Sequence, residues 1–157
     1  MITIITGKKN SGKSTNLKQW YLEEKNGCGI ISEKIFLADS HIGYNILLLP
    51  DEIKLPLCRL PQYTEDLSGA ELIQQGRYLF SSEVFKSVSD MLKEKLPAHS
   101  VLWLDEVGYL ELFGYGYADI IDDAQKKQIE LRLSVRETLL DKILHKFRLN
   151  DCRIITL

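Results

Sequence analysis

Apolar and polar positions change period along this chain, and the changes mark out its elements. Ile2 to Ile5 is a short, continuous, β-rich apolar run, too brief for a core helix, and it predicts a buried parallel strand. Leu17, Trp20, Tyr21 and Glu24 then recur at helical spacing, and Asn26-Gly27 supplies the stop. A second strand is expected over Cys28 to Ile35. Beyond it come short β-runs at Lys34 to Leu37, Tyr44 to Leu49 and Ile53 to Leu60, broken by Asp39-Ser40, Gly43 and Asp51. Pro50, Pro56 and Pro61 limit ladder pairing there, so this region predicts a hairpin or small antiparallel excursion. Gln62 to Gly76 is polar and ambiguous and reads as a loop.

Order returns in the second half. Val84, Phe85, Val88, Met91 and Leu92 make one apolar helix face that Pro97 ends. Val101 to Leu104 is a short, fully apolar run that closes on Asp105-Glu106. Helices over Ala118 to Gln125 and Glu137 to Lys146 alternate with β-runs at Ile129 to Val135 and Arg153 to Leu157. Strands alternating with helices predict an α/β fold of three layers around a mostly parallel central sheet. Trp20 and Trp103 fall at core-facing positions, where burial of an aromatic ring explains them.

The 157 residues fit one domain, spanning 1–157, large enough to fold without staples. Cys28, Cys58 and Cys152 are odd in number and far apart, which predicts reduced structural thiols rather than a metal site. His41, His99 and His145 are scattered and lack ligand spacing. No apolar stretch approaches a membrane span, so the expected setting is the cytoplasm. A net charge of −2, with dispersed Lys and Arg, argues against nucleic acid as the main substrate.

The first strand changes this general picture into a chemical one. It runs straight into Gly7-x-x-x-x-Gly12-Lys13-Ser14 and then into the first helix. In that strand-loop-helix context the pattern is a phosphate-binding P-loop. Gly7 and Gly12 let the loop Lys8, Lys9, Asn10, Ser11 wind tightly enough for its N–H groups to point at phosphate oxygens. The helix start at Lys13, Ser14 and Thr15 adds its positive end. Lys13 reaches the β- and γ-phosphates, and the Ser14 hydroxyl is a hard oxygen suited to Mg²⁺.

A P-loop needs a carboxylate to hold Mg²⁺ through its waters, and Asp105 is placed for it at the end of an apolar strand. Glu106, next to it, is the candidate that orients and deprotonates an attacking water. Arg136 follows a core strand and is a candidate to stabilise transition-state charge. Arg77 and Glu33 are weaker candidates, for substrate contact and for placing water or metal. Each has a competing reading: Arg77 as a solvated charge, Glu33 in a local pair with Lys34.

These residues resemble the small nucleoside triphosphatases first recognised in thermophiles, also called cancer-related nucleoside triphosphatases, with a RecA-like core. The resemblance rests on the P-loop, on Ser32-Glu33 followed by Gly43-Tyr44, and on Gly76-Arg77-Tyr78. It continues through Asp105-Glu106-Val107-Gly108-Tyr109-Leu110-Glu111-Leu112 and Val135-Arg136. It implies Mg²⁺-dependent hydrolysis of nucleoside triphosphates to diphosphate and phosphate with loose base selectivity. No N-K-x-D guanine-reading segment is present. Two departures stand out: Tyr109 replaces a Lys frequent in the family, and a further C-terminal helix is absent after the Ile154 to Leu157 run.

The expected protein is therefore a monomeric triphosphatase with a nucleotide substrate. Two other classes share its P-loop: a small nucleoside or nucleotide kinase, for which Arg59 and Arg77 could serve a short lid, and a nucleotide-dependent switch or assembly ATPase. The Tyr109 to Tyr117 loop, rich in Tyr and Gly, reads as a base platform, a flap or a packed connection.

Overall fold

The computed structural model describes residues 1–69 and 71–157; the segment read as a loop at 62–76 includes position 70, which lies outside the described residues. The first apolar run forms β1 (Ile2–Gly7), and the helix after the glycine loop is α1 (Lys13–Glu24). The middle region forms β2 (Cys28–Leu37), β3 (Ser40–Leu49), β4 (Ile53–Arg59), β5 (Leu72–Gln75) and β6 (Tyr78–Ser81). Then follow α2 (Ser82–Lys95), β7 (Val101–Val107), α3 (Tyr109–Leu112), α4 (Ala118–Lys126), β8 (Glu130–Arg136), α5 (Leu140–Lys146) and β9 (Cys152–Thr156).

Among the described residues nine strands join one sheet in the order β5-β6-β4-β3-β2-β7-β8-β1-β9. From β2 to β9 every pairing is parallel, and from β2 to β5 every pairing is antiparallel. The sheet is therefore mixed, which corrects the expectation of a mostly parallel one. The middle of the chain is half the sheet, not a small excursion. Its connections explain this: β2, β3 and β4 are joined by tight turns, and a tight turn can only reverse the chain. Pro56 does not stop pairing. Tyr44 faces Cys58 and Asn45 faces Pro56, so the missing N–H falls at a bulge with Leu57 as the extra residue. The segment read as a loop also contains a 3-10 turn (Pro61–Tyr63) and β5.

Helices cover both faces. On one, α1 packs Leu17 and Tyr21 against Ile5, Ile31, Leu49 and Trp103. On the other, α2, α4 and α5 bury Val88, Leu92, Ile120, Ala124 and Ile143. The α2 start is fixed by Ser81, whose hydroxyl accepts from the Val84 N–H at 3.2 Å. Trp103 is wholly buried, with its indole N–H on the Asn26 carbonyl at 2.7 Å. Trp20 sits only at the rim of this core, with the Arg132 guanidinium 4.4 Å above its ring. All three cysteines are free, and burial pushes Cys28 up to about 11 and Cys58 to about 12. Among the described residues no helix is long and apolar enough to cross a membrane.

Candidate active site

The glycine loop bridges the C-terminal end of β1 and the start of α1, where the parallel half of the sheet ends. Asn10 at φ 64° and Gly12 at φ 91° turn the backbone left-handed, and a β-carbon at Gly12 would strain that turn. The loop is closed by the Ser11 N–H on the Lys8 carbonyl at 3.2 Å. Lys13 is 4% exposed, and its ammonium donates to the Lys8 carbonyl at 2.8 Å. A buried cation held by one neutral acceptor is poised to exchange that partner for an anion. Lys34 of β2 donates to Asn10 Oδ1 at 2.7 Å and braces the outer side of the loop.

Asp105 lies in the irregular C-terminal end of β7, where the strand's register shifts. The carboxyl is 1% exposed and is enclosed by donors from three other segments. The Ser32 N–H reaches Oδ2 at 2.9 Å, the Ser134 hydroxyl donates to Oδ1, and the Ser14 hydroxyl faces it from α1. Burial, reinforced by the charge of Glu106, raises this carboxyl to about 6, against the hydrogen bonds from Ser134, Ser14 and Ser32. The glycine loop and the acidic pair therefore converge, through the Ser14 and Asp105 side chains.

Glu106 takes φ 55°, a left-handed conformation uncommon outside glycine, and its N–H is held by Asp105 Oδ1 at 3.0 Å and Ser134 Oγ at 2.8 Å. The β7–β8 register shifts between Leu104 and Val107 at this point. The turn leaves the Glu106 side chain exposed while Asp105 stays buried. Two adjacent carboxylates thus face two different environments.

Two adjoining cavities meet here. The larger, about 720 Å³, is lined by Gly12, Lys13, Ser14 and Thr15, and also by Lys18, Glu33 and Lys54. The smaller, about 320 Å³, lies on the β4 and β6 side. Lys9, Ser32, Tyr44, Glu106 and Arg136 line both. Arg136 ends β8 opposite Gly7, and among the described residues it makes no salt bridge. Its charge lowers the Tyr44 hydroxyl, whereas burial and Glu106 push that hydroxyl up more strongly.

The weaker candidates separate. Glu33 is bound by Lys18 and Lys54, each at 2.9 Å, and not by Lys34. Burial opposes its charge, and the hydrogen bonds from those lysines more than compensate, leaving it below its ordinary value. Arg77 lines the smaller cavity and donates to the Tyr78 hydroxyl at 2.8 Å. Arg59 forms no lid: it is 3% exposed, bound to Asn45 Oδ1 at 2.8 Å and Asp66 Oδ2 at 2.6 Å. His41 is wedged between Tyr44 and Tyr78 rather than solvated. The Tyr109 to Tyr117 loop divides, with Phe113 and Tyr115 exposed and Tyr117 buried against the smaller cavity.

Three contributors carried weaker sequence signals. Ser134 interrupts the apolar run of β8, and a polar side chain inside a buried strand must find a partner; that pattern could have pointed to it. Ser32 acts through its backbone N–H, which leaves no mark in a sequence. Glu111, 3% exposed, accepts from the Gly108 N–H at 2.8 Å and the Tyr117 N–H at 3.0 Å, pinning the loop after β7.

A family model described as NTPase matches residues 2–157. Among curated proteins the chain is 26% identical over 149 residues to the nucleoside-triphosphatase THEP1 of Natranaerobius thermophilus, covering 92% of this chain and 77% of that one. Among solved structures it resembles THEP1 from the hyperthermophile Aquifex aeolicus, with TM-score 0.76, 19% identity, and coverage of 100% of this chain and 90% of that chain. It also resembles a human cancer-related nucleoside triphosphatase, with TM-score 0.70, 18% identity, and coverage of 99% and 87%. At such identity these two likenesses establish the fold. With the family model matching residues 2–157, the chain belongs to the NTPase family.

Proposed function

We propose that the protein hydrolyses nucleoside 5'-triphosphates, ATP and GTP among them with loose base selectivity, to diphosphate and phosphate in a Mg²⁺-dependent reaction. The observation that carries this reading is that Lys13 and Ser14 line one cavity with Glu106, the neighbour of the buried Asp105, so that the phosphate loop meets the acidic pair. The donor set fits Mg²⁺. Ser14 and Asp105 offer hard oxygens, and among the described residues the buried Asp105 charge has no cation beside it. Among the described residues no group of three His, Cys, Asp or Glu forms an all-protein cage, as suits an ion that takes its other ligands from phosphates and water. Bound there, Mg²⁺ would neutralise charge on the terminal phosphates.

The residues divide the work. Loop N–H groups from Lys8 to Thr15 hold the phosphates, and Lys13 leaves the Lys8 carbonyl to reach the β- and γ-oxygens. Glu106, beside the buried Asp105, orients a water and accepts its proton as the oxygen attacks the γ-phosphorus. Arg136, free of carboxylate partners, faces the shared boundary of the two cavities and stabilises charge on the transferred group. Nothing in the residue pattern selects a base. The three free thiols suit a reducing compartment, the cytoplasm, and the reading takes the monomer as the working unit.

The test is phosphate release from purified protein with ATP, GTP, CTP and UTP, each with Mg²⁺ or with EDTA, for the native chain and Glu106→Gln. Release with all four nucleotides, abolished by EDTA, is expected. The Gln variant should bind nucleotide normally and lose about 10²–10⁴ in kcat. Unchanged turnover would remove Glu106 as the base.

A further inference from the structure

The smaller cavity is not needed by the phosphate grip. Gly12, Lys13, Ser14 and Thr15 line only the larger one. P-loop amides take the α- and β-phosphates and the lysine reaches the β- and γ-phosphates, so Glu106 marks the terminal-phosphoryl end. The 320 Å³ cavity therefore opens beyond the γ-phosphate, on the side from which a nucleophile must approach in line. One water occupies about 30 Å³ of liquid volume. The space is roughly ten times too large for hydrolysis alone and falls in the size range of organic-ligand sites.

Its walls state what it suits. Leu57, Phe80, Phe85 and Leu110 are apolar, and flat faces recur. Phe80 and Phe85 stack with centroids 5.8 Å apart, and Tyr117 meets Phe85 edge-on at 5.2 Å. Tyr117 is 3% exposed, and its hydroxyl is buried with no hydrogen-bond partner, although such groups are nearly always paired. Asp105 and Glu111 are close enough to bear on that hydroxyl electrostatically, and both carboxyls are engaged by other donors. Tyr117 adds its ring to the wall, and its hydroxyl is buried behind that wall.

We propose that this cavity is an acceptor site for a nucleoside, so that the protein also transfers the γ-phosphoryl group from a nucleoside triphosphate to a nucleoside hydroxyl. The base lies against the aromatic wall of Phe80 and Phe85, and the sugar hydroxyl points to Glu106. The hydroxyl oxygen forms the new bond to the γ-phosphorus as the bond to the β–γ bridging oxygen breaks. The electron pair leaves with the nucleoside diphosphate, and the hydroxyl proton passes to the Glu106 carboxylate and on to solvent. This rests on the placement of the γ-phosphate and of Glu106 given under the proposed function.

The test incubates the full chain with Mg²⁺ and ATP, alone and with adenosine, guanosine, cytidine, uridine or thymidine at millimolar concentration. Orthophosphate and nucleoside monophosphate are quantified in the same samples. Monophosphate formed from at least one nucleoside, with less orthophosphate per ADP, supports the acceptor site. Orthophosphate in every sample without monophosphate overturns it and leaves hydrolysis standing. Silence in every arm, ATP alone included, overturns both. Phe80→Leu, at a half-buried wall of the cavity, should raise the nucleoside KM about tenfold. An unchanged nucleoside KM would refute the aromatic seat for the base.

Discussion

Asp105→Asn should stabilise the protein when no nucleotide or metal is bound, while abolishing Mg²⁺-dependent turnover. The carboxyl is buried, and its proton affinity rises from 3.8 to about 6, chiefly through burial and then through Glu106. A raised carboxyl gives stability that is complete below its unfolded value and is lost as pH climbs through the folded value. A difference of about two units corresponds to a penalty of about 3 kcal/mol at pH 7.5. Asn removes the charge, but its NH₂ cannot accept the Glu106 N–H that Oδ1 now accepts at 3.0 Å, a loss of about 1–2 kcal/mol. The net gain is about 1–2 kcal/mol, a rise in Tm of roughly 2–8 °C for a chain of this size. Thermal unfolding in EDTA from pH 4.5 to 7.5 reads it directly, with the variant's advantage shrinking as pH falls from 6 toward 4. Adding Mg²⁺ and a non-hydrolysable nucleotide inverts the order. Ligand at a hundred times Kd gives the native chain about 2.7 kcal/mol that the variant largely forgoes. A variant melting below the native chain in EDTA at pH 7.5, or an advantage independent of pH, refutes the buried-charge reasoning.

Arg136→Ala should lower kcat by about 10²–10³ with little change in nucleotide affinity, because its guanidinium acts on charge that develops only in the transition state. Steady-state and equilibrium-binding measurements separate the two, and a loss confined to affinity would reassign Arg136 to ground-state binding. Gly116→Ala should destabilise by about 1–3 kcal/mol, because a β-carbon there collides with Glu111 Oε1 and the backbone φ is 61°. Thermal unfolding checks it, and an unchanged Tm would show that Glu111 does not pin the loop.

What was legible in the sequence was local. The glycine loop binds through consecutive backbone groups, so its spacing is written in neighbouring residues, and Asp105-Glu106 follows directly on its apolar run. The antiparallel half was less legible because β3 ends in Ile46, Leu47, Leu48 and Leu49, buried on both faces, which erases the alternation of a half-exposed strand. β5 and β6 have only 4 residues each, too few for a period to appear. Partners brought together by the fold were the hardest to foresee. Glu33 meets Lys18 and Lys54 instead of its neighbour Lys34, and Ser32 reaches Asp105 across 73 positions.

The strand that carries the phosphate loop is synthesised long before either of its neighbours. Ile2 pairs with Leu131 on one side and with Cys152 on the other. At roughly 5–20 residues per second, translation leaves β1 without a ladder for many seconds. Such distant pairings also carry a large loop-closure entropy and slow the search for the native state. Competence to hold a nucleotide therefore waits on β8, and a ribosome-bound intermediate lacking that strand has no closed grip to offer.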